Sequence, residues 1–396
     1  MRAVEILQEK LESVLGFMHA KRRAALWRII DGLLRGQELW LTELGRSLPG
    51  ACSIKHRVKA VDRFLGSPVM QASIPAVYAA LASFLLRSIK QPIVLVDWTG
   101  GESGHHVLSA KLAFSGRALS VLSRSYPEKV KANPDVEREF LNELKKIIPR
   151  HCRPVLVTDA GFLFKWIDSV RACGWDYVAR ARLKKMLVTF NKRSMRLHQV
   201  YELANQKPRN LGTVSLGKAN PREHRVVLSA KPTLKGRKNL GRKGKPRNGG
   251  IARVSRAAAR EPLLLLTSLV ESPSAVVDIY RMRMQIEQTF RDLKSHRYGW
   301  SMRHIRSRCS RRIDLFLLIA AIAALAMHVI GITIRGSSFA RGLQANTERK
   351  REVFSTFFLG RLALREGHEA HLLARSLREA LRKLLAGLHS VELMPA

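Results

Sequence analysis

The stretch from Ile279 to Lys294, IYRMRMQIEQTFRDLK, decides how the chain reads. Placed on a helix, Tyr280, Arg283, Glu287 and Lys294 fall at i, i+3, i+7 and i+14, the spacing of a single face. That face carries a phenol, a guanidinium, a carboxylate and an ammonium. A carboxylate between two cations suits a site in which Glu287 holds a divalent metal while Arg283 and Lys294 grip phosphate oxygens on either side. The same spacing also describes a solvated amphipathic helix, because Arg283 and Glu287 make an i, i+4 ion pair by themselves. The choice between them turns on where the other acids of the chain stand.

Two aspartates upstream follow apolar strands. PIVLVDWTGG (92–101) is a β-branched run ending in Asp97, and HVLSAKLAF and RALSVLSRSYP read as two further strands joined at Ser115-Gly116. DVEREFLNELKKII (135–148) is an amphipathic helix introduced by Asn133-Pro134. PVLVTDAGF then repeats the first pattern, a buried strand delivering Asp159 and turning at Gly161. FLFKWIDSVRAC makes a helix and WDYVARAR a last strand. Three strands, helix, strand, helix, strand is the order of an RNase H-like sheet. Three acids from distant parts of the sequence, Asp97, Asp159 and Glu287, can then meet at the carboxyl end of a sheet, where such folds place ligands. One aspartate after a strand is more often a turn cap. Two of them in order with the Glu287 pattern make that coincidence improbable. Glu102 is a rival acid, lying past two glycines in a loop.

Bulk charge points to the partner. The 396 residues carry 70 Lys and Arg against 31 Asp and Glu, a formal net charge of +39, which calls for a polyanion. Nucleic acid is the default, since Lys and Arg neutralising phosphates supply affinity at every sequence. Cys52, Cys152, Cys173 and Cys309 are scattered singly, without zinc-ligand spacing or a disulfide framework, which fits a reducing cytoplasm. LFLLIAAIAALAMHVIGITI (315–334) has the length of a bilayer span, but His328 and Gly331 within it and the basic segments around it favour the central helix of a large core.

The rest of the chain divides by texture. Residues 1–88 read as a helical N-terminal domain, with short helices near 21–35, 40–47 and 53–65. The third starts at Ser53, ends at Gly66, and presents Lys55, His56, Lys59 and Arg63 opposite Ile54, Val58, Val61 and Phe64, a helix suited to a major groove or to an ordinary basic surface. From 183 to 261 lies a mainly β insertion with strands at MLVTF, GTVSL and HRVVLSA. Its segment GRKNLGRKGKPRNGG carries Arg237, Lys238, Arg242 and Lys243 among glycines, with no acid between Glu223 and Glu261, a composition that binds phosphates and buries no core. PLLLLTSL resumes the core, which runs over 262–335, and 336–396 is helical again.

The pattern Tyr, two residues, Arg, three residues, Glu, six residues, Lys, met here without a gap at 280, 283, 287 and 294, resembles the signature of IS4-type insertion-sequence transposases. The resemblance covers most of the chain: a helical N-terminus, an RNase H-like core interrupted by an insertion between the second Asp and the Glu, and a helical C-terminus. It implies that Asp97, Asp159 and Glu287 form a metal-binding catalytic triad, and that Tyr280, Arg283 and Lys294 contact the DNA end near the cleaved phosphate. It further implies two Mg2+ ions, or Mn2+ in their place, and a homodimer that holds inverted-repeat ends and target DNA in the bacterial cytoplasm, on the nucleoid. Two ions about 3.5–4 Å apart clamp the attacking and leaving oxygens of a phosphoryl displacement, which is why carboxylates are wanted there. Asp159 is followed by Ala160-Gly161-Phe162 where many relatives carry Arg-Gly-Tyr. Other readings of the same residues are a DNA nuclease without strand transfer and a transposase descendant that binds DNA without catalysis.

Overall fold

The computed structural model describes residues 1–101, 104–162, 164–182, 187–190, 192–217, 220–230, 261–344, 352–368 and 372–391. The rival acid Glu102 and the basic residues Arg237, Lys238, Arg242 and Lys243 lie outside them. The chain divides into two compact units, one combining Met1–Pro154 with Met282–Leu393, the other built on Val155–Arg281.

The first unit opens with six helices: α1 (Arg2–Leu11), α2 (Ala20–Gly36), α3 (Leu41–Ser47), α4 (Ile54–Gly66), α5 (Pro68–Ala72) and α6 (Ile74–Leu86). On α4, Val61, Phe64 and Leu65 are buried while Lys55, His56, Lys59 and Arg63 are exposed. Ile54, expected on the buried side, is 53% exposed, because it sits in the first turn ahead of that apolar stripe. Ser53 occupies the N-cap position, but its hydroxyl pairs with His56 Nδ1 at 2.9 Å instead of capping the backbone.

Three strands follow, β1 (Ile93–Gly100), β2 (His105–Phe114) and β3 (Arg117–Pro127), in an antiparallel meander. The β2–β3 hairpin turns at Ser115 and Gly116, both at positive φ, the backbone that a two-residue turn matching strand twist requires. β1 extends three residues beyond Asp97, so this acid lies within the strand and not at its end. The extension follows from the register, which carries pairing past Asp97↔Ser109 to Gly100↔His106. α7 (Pro134–Ile147) is capped by Asn133, whose side chain accepts from Asp135 N at 2.8 Å.

The second unit is a seven-stranded sheet. β4 (Val155–Thr158) leads through α8 (Phe164–Ala172) to β5 (Asp176–Ala181), which pairs parallel to β4. β6 (Leu187–Phe190), β7 (Arg193–Arg196), α9 (Leu197–Glu202), β8 (Arg209–Leu216), β9 (Arg222–Ser229) and β10 (Leu263–Thr267) complete it. β10 runs antiparallel between β5 and β9, and the order continues through β8 and β6 to β7. The strands of 187–229 thus extend the sheet that β10 completes. β7 and α9 have no counterpart in the sequence reading, because four exposed or half-exposed residues and a six-residue helix are too short to show a period. α10 (Pro273–Arg281) closes this unit, burying Ala275, Val276, Val277, Ile279 and Tyr280.

The chain returns to the first unit with α11 (Met284–Lys294), α12 (Ser310–Ile334), α13 (Ser338–Gly342), α14 (Thr356–Arg365) and α15 (Ala374–Ala386). The stretch 279–294, read as one helix, is therefore two. The break at Met282 and Arg283 separates two apolar stripes: α10 buries Ile279 and Tyr280, and α11 buries Ile286, Phe290 and Leu293. Between them 281–285 supplies Arg, Met, Arg, Met and Gln, and the apolar Met284 is 46% exposed, so it carries neither stripe through the break. α12 is long and apolar enough to cross a bilayer, yet 89% of its most apolar window is buried inside the unit. There His328 Nδ1 pairs with Thr356 Oγ1 at 2.7 Å, and Gly331 lies against the backbone of Thr356 at the start of α14.

Candidate active site

β1 alternates its side chains between two faces. Trp98 points one way, its Nε1 donating to Glu137 Oε1 on α7 at 2.9 Å with its ring edge-on to Tyr126. Asp97 and Thr99 therefore share the opposite face, and α11 meets them there. Arg283, at the N-cap position of α11, donates from Nη1 to Asp97 Oδ2 at 3.2 Å and from Nη2 to Glu287 Oε1. Lys294, in the last turn, donates to Thr99 Oγ1 at 2.5 Å. Asp97 and Glu287, 190 positions apart in the chain, thus converge on one guanidinium. The Arg283 and Asp97 side chains are 13% and 14% exposed and that of Glu287 40%, so the pair opens to solvent on the glutamate side.

What holds α11 against the strands is a second polar row one step around the helix. Gln285 Oε1 accepts from Phe114 N at 2.8 Å, Thr289 Oγ1 accepts from Ala118 N at 2.8 Å, and Asp292 takes a bidentate ion pair from Arg117. All three bind the two ends of the β2–β3 turn. Burial pushes the Asp292 carboxyl above its usual range although Arg117 beside it pulls the other way. Thus α11 divides its circumference into three: Ile286, Phe290 and Leu293 to the core, Gln285, Thr289 and Asp292 to the hairpin, and Arg283, Glu287 and Lys294 to the strand face that carries Asp97. The docking row and Thr99 were not singled out in the sequence. Thr99 was within reach of it, because a residue two places from Asp97 on a strand shares its face.

The remaining site candidates belong to other elements. Asp159 follows β4 in the second unit, half-buried, with its Oδ1 accepting from Gly161 N at 2.8 Å in a turn-capping arrangement. Tyr280 is 8% exposed within that same unit. Lys55, Lys59 and Arg63 are on the exposed face of α4 in the first unit. Among the described residues no three His, Cys, Asp or Glu side chains form a ready-made metal cluster.

A family model described as Transposase DDE domain matches residues 89–325, more than half of the chain and the whole span from ahead of β1 into α12. Comparison with curated proteins gave no match. The family implies an RNase H-like fold, in keeping with the order β1, β2, β3, α7, β4, α8, β5 along the chain. The chain belongs to the DDE transposase family.

Proposed function

We propose that the protein is an IS4-type transposase that binds the inverted-repeat ends of its insertion sequence and performs divalent-metal-dependent strand cleavage and strand transfer by a cut-and-paste route. The observation that carries this reading is the bridge of Arg283 between Asp97 and Glu287. Two carboxylates that share one cationic group are a donor set that suits a hard divalent cation, whose preferred ligands are carboxylate oxygens. Asp159 joins them on sequence grounds, as the second acid after a buried strand and ahead of the glutamate in chain order. Bound Mg2+ would supply Lewis-acid stabilisation of the attacking and leaving oxygens.

The chain's own groups do the rest. Asp97 is held on a strand whose pairing with β2 runs through it and Glu287 on a helix clamped to a hairpin, so both carboxylates are pre-positioned before DNA arrives. Arg283 neutralises the two acids in the free protein and is placed to pass one of its donors to a phosphate oxygen. Lys294, anchored on buried Thr99, fixes a second cation on the same face. The net charge of +39 keeps DNA as the partner, with a homodimer as the assembly that holds both ends.

The test follows nicked, double-strand-broken and joined products on an end-containing DNA with Mg2+. Asp97→Ala, Asp159→Ala and Glu287→Ala should each cut cleavage on the order of a thousandfold, since a metal-held charge is worth several kcal/mol in the transition state, and should leave end binding nearly intact. Near-normal cleavage by any one variant would remove that residue from the triad. A wild type that nicks and never joins would replace this reading with a nuclease.

A further inference from the structure

The segment that follows Lys294 is the most basic described stretch of the first unit. Between Asp292 and Asp314 there is no acid, and seven Lys and Arg residues stand among His296 and His304. This run forms one wall of an open groove of about 780 Å³ whose other wall is the start of α3, from Trp40 to Thr42. That volume lies within the range of sites that enclose a small organic group. Two rings of the groove, Trp40 and His304, pack tilted against each other, and His296 stands beside them outside the lining. Trp40 packs on His304 with centroids 4.9 Å apart at 38°, and His304 stacks on His296 at 5.5 Å and 16°. The guanidinium-bearing residues Arg303 and Arg306 line the groove and are exposed.

The groove is fixed at both edges. Leu39 N donates to Trp300 O at 2.9 Å and Trp300 N to Asp292 O at 3.0 Å, which ties the wall bearing Trp40 to the helix of Glu287. Arg312 pairs with Asp62 of α4, between Lys59 and Arg63 on the sequence, which ties the other edge to the exposed basic face of that helix. Exposed guanidiniums match phosphate oxygens. A pair of aromatic rings matches the face of a base removed from its stack, and favours a single strand because paired bases have no free face.

We propose that this groove is a single-strand DNA subsite, in which Arg303 and Arg306 take successive phosphates and an unpaired base packs on the rings of Trp40 and His304. It rests on the transposase reading only in taking DNA as the partner, and the site involves none of the three acids. No covalent step occurs there.

The experiment uses the full chain without divalent metal and measures affinity by anisotropy for a labelled duplex carrying a short single-stranded tail and for the same duplex blunt, across a salt series. The wild type should prefer the tailed duplex by about tenfold, the size of one base–aromatic stack, and Trp40→Leu should lose that preference. Arg303→Ala combined with Arg306→Ala should weaken binding to the tailed duplex and lower the salt slope by about two, whereas the double Lys replacement should keep the slope. Tails carrying 5-iodouracil, irradiated with the wild type, should crosslink to the peptides of Trp40 or His304, a readout independent of whether any variant folds. The groove assignment is overturned by an absent tail preference in the wild type, by an unchanged slope in the folded Arg variant, or by crosslinks confined to other peptides. A wild type that binds neither duplex would instead overturn the transposase reading.

Discussion

Arg283 and Asp97 are separated by 186 residues, yet Arg283 Nη1 lies 3.2 Å from Asp97 Oδ2 while the other amino group of the same guanidinium holds Glu287. Neither carboxylate is left to repel the other. The ion pair that the sequence allows within one helix face is real, and it is also half of a three-residue bridge between a helix and a strand.

Arg283→Ala and Lys294→Ala should slow the steps after the first nick more than the nick itself. Cleavage needs the acids, whereas transfer needs the freed end held in line, and a misplacement of about 1 Å costs on the order of a hundredfold. Quantifying nicked, broken and joined products over time checks this. Equal slowing of all steps would make the two cations general binding groups.

Neutralising Arg237, Lys238, Arg242 and Lys243 together should weaken binding to all DNA sequences and flatten the salt dependence, since phosphate contacts carry no base information. Neutralising Lys55, Lys59 and Arg63, exposed on α4, should instead reduce discrimination between end DNA and random DNA if that helix reads a groove. Competition binding with specific and random duplexes measures both.

Lys111 should make stability rise with pH above neutrality. It lies buried on β2 at 3% exposure, donating to Ser120 Oγ with its ammonium 5.6 Å from the centre of the Phe290 ring. Burial pushes it down from 10.5 to about 7. Between those values the unfolded chain holds a proton that the folded chain does not, so stability falls as pH falls through that window and levels off below it. The slope is at most about 1.4 kcal/mol per pH unit. Urea midpoints for the wild type and Lys111→Met should diverge as pH falls from the upper to the lower end of the window, with the variant the flatter of the two. Parallel curves would show that Lys111 does not titrate there.

Gly331→Ala should destabilise the first unit by about 1–3 kcal/mol or more. A Cβ at Gly331 would stand 1.7 Å from Thr356 O, a backbone atom that α14 cannot withdraw without moving its own N-terminus. Thermal unfolding checks this, and a melting temperature equal to the wild type would mean that α12 and α14 do not cross this closely.

The sequence by itself determined whatever is written in a local period or a fixed spacing. β1 to β5 with α7 and α8 between them, the strand end at 158, and the Tyr280, Arg283, Glu287, Lys294 pattern all come from side chains that repeat at two or 3.6 residues. His328 and Gly331 marked α12 as a core helix from sequence alone, for they are the polar and the missing side chain that meet Thr356. The tertiary structure decided the rest. It broke 279–294 into two helices, because α10 and α11 bury their stripes in different units and no local rule records which core a stripe will join. It brought Asp97 to Arg283, Lys294 to Thr99 and Trp40 to His304, contacts that depend on closing loops of hundreds of residues. The free energy of those contacts lies in burial and packing across the chain, and it leaves no periodic trace in the residues that make them.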